Sequence, residues 1–148
     1  MKRLFSTVLI SVIVLTSHAQ SPSAYCNQDG VAIKGFDPVA YFTDNAATEG
    51  DKKFSFTWQG SEWHFKNEAN MEAFKKDPAK YAPQFGGYCA YGASQDHKSP
   101  TDPKAFTILD SKLYLNYNPK VKEVWIKDTK GYIQKADSNW VHLKDKNN

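Results

Sequence analysis

The chain has 148 residues, 41% of them apolar and 24% charged, the make-up of one ordinary globular domain rather than of a disordered tail or a bundle of membrane spans. Its formal charge of +3 includes Lys2 and Arg3 at the very start; 19 basic residues less these two leave 17 against 16 acidic ones, a net charge of +1. Near neutrality excludes the basic footprint of a nucleic-acid-binding protein, and after the first twenty residues no apolar run is long enough to span a bilayer.

Lys2 and Arg3 form a positive segment, residues 4–15 an apolar one, and Ser17 and Ala19 place small residues at the −3 and −1 positions of a cleavage site. This pattern predicts a secretory signal peptide over residues 1–19, cleaved after Ala19, and hence a periplasmic or secreted protein. As a helix the apolar segment would rise only ~18 Å, short of a hydrocarbon core of ~30 Å, so a membrane anchor is the weaker reading. In such an oxidising compartment Cys26 and Cys89 can close one bridge, worth roughly 4 kcal/mol by loop-closure entropy. Without that bridge Cys89 is a free thiol in an exported protein, and needs a reason.

Residues 20–28 are polar and turn-rich and read as a flexible N-terminal tail, with the domain over residues 29–143 and a short C-terminal tail over 144–148. Asp37-Pro38 is a helix-start signal, followed by room for about one turn. In residues 53–58 the aromatics Phe54, Phe56 and Trp58 alternate with polar residues; Gln59-Gly60 is a turn, and Trp63 and Phe65 alternate on the far side, which predicts a hairpin with one aromatic face. Asn67 caps a helix carrying Met71, Ala73 and Phe74, and Asp77-Pro78 opens another short turn. Residues 82–94 hold small and aromatic residues and no charge, the profile of a buried segment without a clear period. After a polar loop through Asp102-Pro103, Phe106 and Ile108 mirror Leu113 and Leu115 across Asp110-Ser111, a second hairpin. Asn118-Pro119 caps a helix bearing Val121, Val124 and Trp125, and Gly131 interrupts before a last segment with Tyr132, Ile133, Ala136 and Trp140. The order predicts an α+β fold: two antiparallel β-hairpins packed with several short helices in a single compact domain.

No Ser-His-Asp order, His-Glu-x-x-His, paired-carboxylate motif or Cys-x-x-Cys occurs, so the chain does not read as an enzyme. The donors available to a transition metal are Cys26, His64, Cys89, His97 and His142. Cys89 and His97 stand eight residues apart across a bend through Gly92, a pair suited to copper or zinc. His64 shares a strand face with Glu62 and Lys66, opposite Trp63 and Phe65, and reads as solvated; His142, near a terminus, reads the same way. Cys89 has four roles open to it: core residue, disulfide half, metal thiolate, or, last, nucleophile.

The motifs Gly35-Phe36-Asp37-Pro38-Val39-Ala40-Tyr41-Phe42, Trp58-x-Gly60-x-x-Trp63-x-Phe65, Asp77-Pro78-x-Lys80-Tyr81-x-Pro83, Gly86-Gly87-Tyr88-Cys89-Ala90 and Lys112-Leu113-Tyr114-Leu115-Asn116, with Ala136-Asp137-x-Asn139-Trp140 near the end, resemble the YHS domain family, in its small exported, stand-alone form. The resemblance runs from about Val31 to Leu143 and implies a metal-binding module. Metal-linked members carry a Cys shortly after Asp-Pro and more after the first hairpin; here Ala40 and residues 66–70 stand in those places, so a Cys-rich site does not carry over. Two readings follow. One is a copper- or zinc-binding or delivery module centred on Cys89 and His97. The other is a metal-free module for a small ligand or another exported protein, stapled by Cys26 and Cys89, with a cleft of Asp37, Tyr41, Tyr88 and Tyr91.

Overall fold

A computed structural model describes Tyr25 and residues 27–146; the expected signal peptide, Cys26 and residues 147–148 lie outside the described residues. Alternating apolar positions build two small sheets. In the first, β1 (Asn27–Gln28), β2 (Val31–Ala32), β3 (Asp51–Trp58) and β4 (Ser61–Phe65) lie in the order β1-β2-β4-β3. The β3–β4 hairpin is antiparallel and pairs Phe56 with Trp63, as its aromatic alternation predicts, whereas β2 runs parallel to β4. The fold begins ahead of Asp29, inside the stretch read as a tail: β1 pairs with β2, and the Tyr25 ring packs 5.3 Å from Trp58 and 5.1 Å from Trp63. The second sheet is the antiparallel hairpin of β5 (Asp102–Leu109) and β6 (Lys112–Asn116). Here the expected loop at Asp102-Pro103 is corrected: both residues belong to β5, and a register irregularity between Asp102 and Phe106 accommodates a proline that cannot donate to the ladder.

The helices are short and their starts are written locally. After α1 (Ala40–Thr43), the side chain of Asn67 accepts from Asn70 N at the head of α2 (Glu68–Lys76), and Asp77 accepts from Lys80 N at α3 (Pro78–Tyr81). Then come α4 (Ala90–Ser94), α5 (Pro119–Trp125), capped by Asn118, and α6 (Thr129–Leu143), capped by Asp128. Gly131 therefore does not interrupt a helix; it sits in the first turn of α6, where Asp128 Oδ1 accepts from its N–H at 3.0 Å. A Cβ at this position would press on the Asp128 carboxylate, which lies directly over the glycine.

Two apolar cores result. The aromatic face of β3 and β4 packs with Tyr41, Phe74, Leu113 and Leu115; Phe85, Ala90, Ala93, Tyr114, Trp125, Ala136 and Leu143 form the other. Strand β6 is buried on both faces and divides them, sending Leu113 and Leu115 one way and Tyr114 the other. The uncharged segment 82–94 is largely buried, as expected, and bends at Gly86 and Gly87, whose φ of +58° and +74° glycine adopts freely.

Asp37 and Tyr41, expected in an open cleft, are both 0% exposed. Asp37 Oδ1 accepts from Val39 N (2.8 Å) and Ala40 N (3.2 Å), while Oδ2 accepts from Lys66 N (2.9 Å) and Asn70 Nδ2 (2.7 Å). Tyr41 Oη donates to Pro103 O at 2.9 Å, tying α1 to β5. These side chains hold the fold together, which removes them from the cleft. Asp37→Ala strands four donors at a buried site and should cost about 3–5 kcal/mol in urea unfolding. Burial first, then the charges of Asp102 and Asp37, hold the Tyr41 hydroxyl well above the ordinary value of 10.0. A folded-state pKa raised in this way gives stability that is complete below about pH 10 and is lost as pH climbs past it. Thermal melts should be level from neutrality to that point and then fall, and the alkaline fall should be shallower for Tyr41→Phe.

Candidate functional site

The carbonyl of Ser99 accepts from Cys89 N at 3.0 Å and Thr101 Oγ1 donates to Gly87 O at 2.9 Å, so residues 99–101 lie along the segment entering α4. This places Cys89 at the N-cap of that short helix. Its thiol is free, 2% exposed, and surrounded by polar contacts. Sγ accepts from Gly92 N at 3.4 Å and from Tyr117 N at 3.3 Å, and donates to Asn116 Oδ1 at 3.6 Å. Asn116, at the end of β6, also accepts from Tyr91 N at 3.2 Å. It is wholly buried, and its Nδ2 has no hydrogen-bond partner among the described residues.

His97 lies in the exposed turn that leaves α4. Its N–H donates to Gly92 O at 3.1 Å, and its Nδ1 is 3.3 Å from Gln95 O. A Cβ added to Gly92 would stand 3.4 Å from His97 Nε2, so the imidazole packs against the same glycine whose N–H is directed at the Cys89 sulfur. The two metal donors expected from the sequence thus flank Gly92. Among the described residues, no group of three or more His, Cys, Asp or Glu is placed to hold a metal ion.

The other expected site residues go elsewhere. Tyr88 is covered by the Lys98 ammonium, 5.1 Å from its ring centroid, and packs 6.1 Å from Trp140. Burial lowers the pKa of that lysine, which also donates to Lys146 O at 2.6 Å. Tyr91 meets Tyr132 of α6 edge to face at 5.2 Å. Tyr41 belongs to the first core and Tyr91 packs against the second, while Asp37 is wholly buried and Tyr88 lies under the Lys98 ammonium. His64 is corrected from a solvated residue: its side chain is 13% exposed, lies 2.6 Å from Glu62 and packs beneath Gly35 and Gly50. His142 is exposed and contacts Asp96 at 2.5 Å, linking α6 to the turn after α4.

Asn116 and Asn139 are the polar residues whose roles the sequence left open. Asn139 Nδ2 donates to Ala93 O (3.0 Å) and Ser94 O (3.3 Å), closing the C-terminal end of α4 from α6. Neither role has a local signature, since the partners are 45 or more residues away for Asn139 and 25 or more for Asn116. With Cys26 replaced by Ser, Cys89 should react with a thiol reagent about 100-fold more slowly in the native protein than in urea, because its sulfur is reached only through local opening.

No family model, curated protein or solved structure matches the chain, so its likeness to YHS domains rests on the sequence motifs alone.

Proposed function

We propose that the chain is a small exported binding module, of the YHS kind its motifs resemble, that takes a soft transition-metal ion through Cys89 with His97 as second donor. The observation that carries this reading is the setting of the sulfur. Two backbone N–H groups and the Asn116 amide oxygen fix its position, and backbone donors aimed at a ligand sulfur are the outer contacts that orient and tune a metal thiolate. Loss of the thiol proton on binding removes the donation to Asn116 Oδ1 and leaves both N–H contacts in place.

The donor set selects among metals. A structural zinc ion takes four ligands, and the described residues hold no such group, whereas one thiolate and one imidazole suit copper(I), a soft ion content with few ligands. Cys89 would hold the ion, and His97, on the exposed turn, would close over it through Nε2. Bound copper(I) supplies a site for transfer to another soft ligand, so delivery rather than catalysis is the role proposed.

Reduced protein lacking residues 1–19 and free of tags should take up one copper(I) in competition with a chromogenic chelator. Cys89→Ser should lower the affinity by about 100-fold or more and His97→Ala by about tenfold, on the scale at which even outer-shell changes cost 10- to 100-fold. Undiminished uptake by a folded Cys89→Ser protein overturns the site.

A further inference from the structure

A second place in the molecule is built for a ligand. Between the β5–β6 turn and the first two-thirds of α6 lies a pocket of about 740 Å³, within the range of small-molecule sites. Tyr114 of β6 lines it and is only 4% exposed. Its ring is clamped by Trp125 and Phe85, at centroid distances of 5.3 and 6.1 Å, yet its hydroxyl has no hydrogen bond to any described residue. The hydroxyl is not one of the buried polar atoms left without a partner, so it is the edge of an otherwise covered ring that reaches the pocket.

What lines the pocket around that hydroxyl defines the ligand it could meet. Asp110, on the turn, and Asp137, on α6, line the same pocket, as do Lys112 and Lys130, and none of the four forms an ion pair or a side-chain hydrogen bond among the described residues. Leu109 and Ile133 supply an apolar wall that is packed on the core beneath. Burial, then the charges of Asp137 and Asp110, raise the Tyr114 pKa. Tyr114 Oη with the two carboxylates favours a positive group, while the two ammonium groups lining the same pocket favour a negative one.

We propose that this pocket binds a small zwitterion with an apolar body, an α-amino acid being the simplest. Its ammonium group lies against Tyr114 Oη, Asp110 and Asp137, its carboxylate against Lys112 and Lys130, and its side chain against Leu109 and Ile133. The pocket shares no residue with the Cys89 turn, so it stands or falls apart from the metal reading.

The test is a ¹⁵N NMR titration of metal-free protein with three probes of one shape: phenylalanine, phenethylamine and 3-phenylpropionate. Phenylalanine should shift amides of residues 109–114 and 129–138 saturably and bind more tightly than either singly charged probe. Tyr114→Phe, which keeps the ring packing, and Asp137→Asn, on an exposed helix face, should each weaken phenylalanine by about tenfold with unchanged thermal stability. No saturable shift with any probe, equal affinity for a singly charged one, or wild-type affinity in both variants overturns the proposal.

Discussion

The Asp37 carboxylate joins three separate segments of the chain at one buried point. One side chain, excluded from solvent, receives N–H groups from the start of α1, from the residue after β4 and from the side chain of Asn70 in α2. Every donor it meets would otherwise be buried without an acceptor, so the three segments can pack only in the arrangement that brings them to it. Tyr41 extends the same constraint, since α1, once fixed by Asp37, carries a hydroxyl to Pro103 O and ties the first sheet to the second. The aromatic core supplies most of the burial energy, but it has no direction of its own; the carboxylate supplies the geometry.

A second constraint is the register of β6. Its side chains alternate between the two cores, and a slip of one residue would exchange Leu113 and Leu115 for Tyr114 and Asn116. That same alternation delivers Asn116 to the Cys89 sulfur and Tyr114 to the pocket beside α6. The thiol turn and the pocket are therefore built from successive positions on one face of one strand, though they share no residue. The packing of α4 against α6, closed by Asn139, holds both places on one side of the hairpin they use.

Much of this was legible in the residues because it is local. The β3–β4 hairpin follows from aromatic alternation about Gln59-Gly60, the starts of α2, α3 and α5 from Asn or Asp caps, and the burial of residues 82–94 from an absence of charge. The misreadings were of two kinds. Proline and glycine read as breakers by type, whereas a strand irregularity tolerates Pro103 and the capped first turn of α6 accommodates Gly131. His64, Asp37 and Tyr41 were read from polarity or motif position, and their surroundings come from chain segments far away.

Fold class, caps and candidate donors are legible in the residues, because periodicity and capping act over a few positions. Only long-range packing sets the parallel pairing of β2 with β4 and the meeting of Asn116 with Cys89. It also decided that Tyr114 and Asp137 face one pocket. Contacts of this kind depend on how buried polar groups find partners across the whole chain, and no short stretch of residues carries that information.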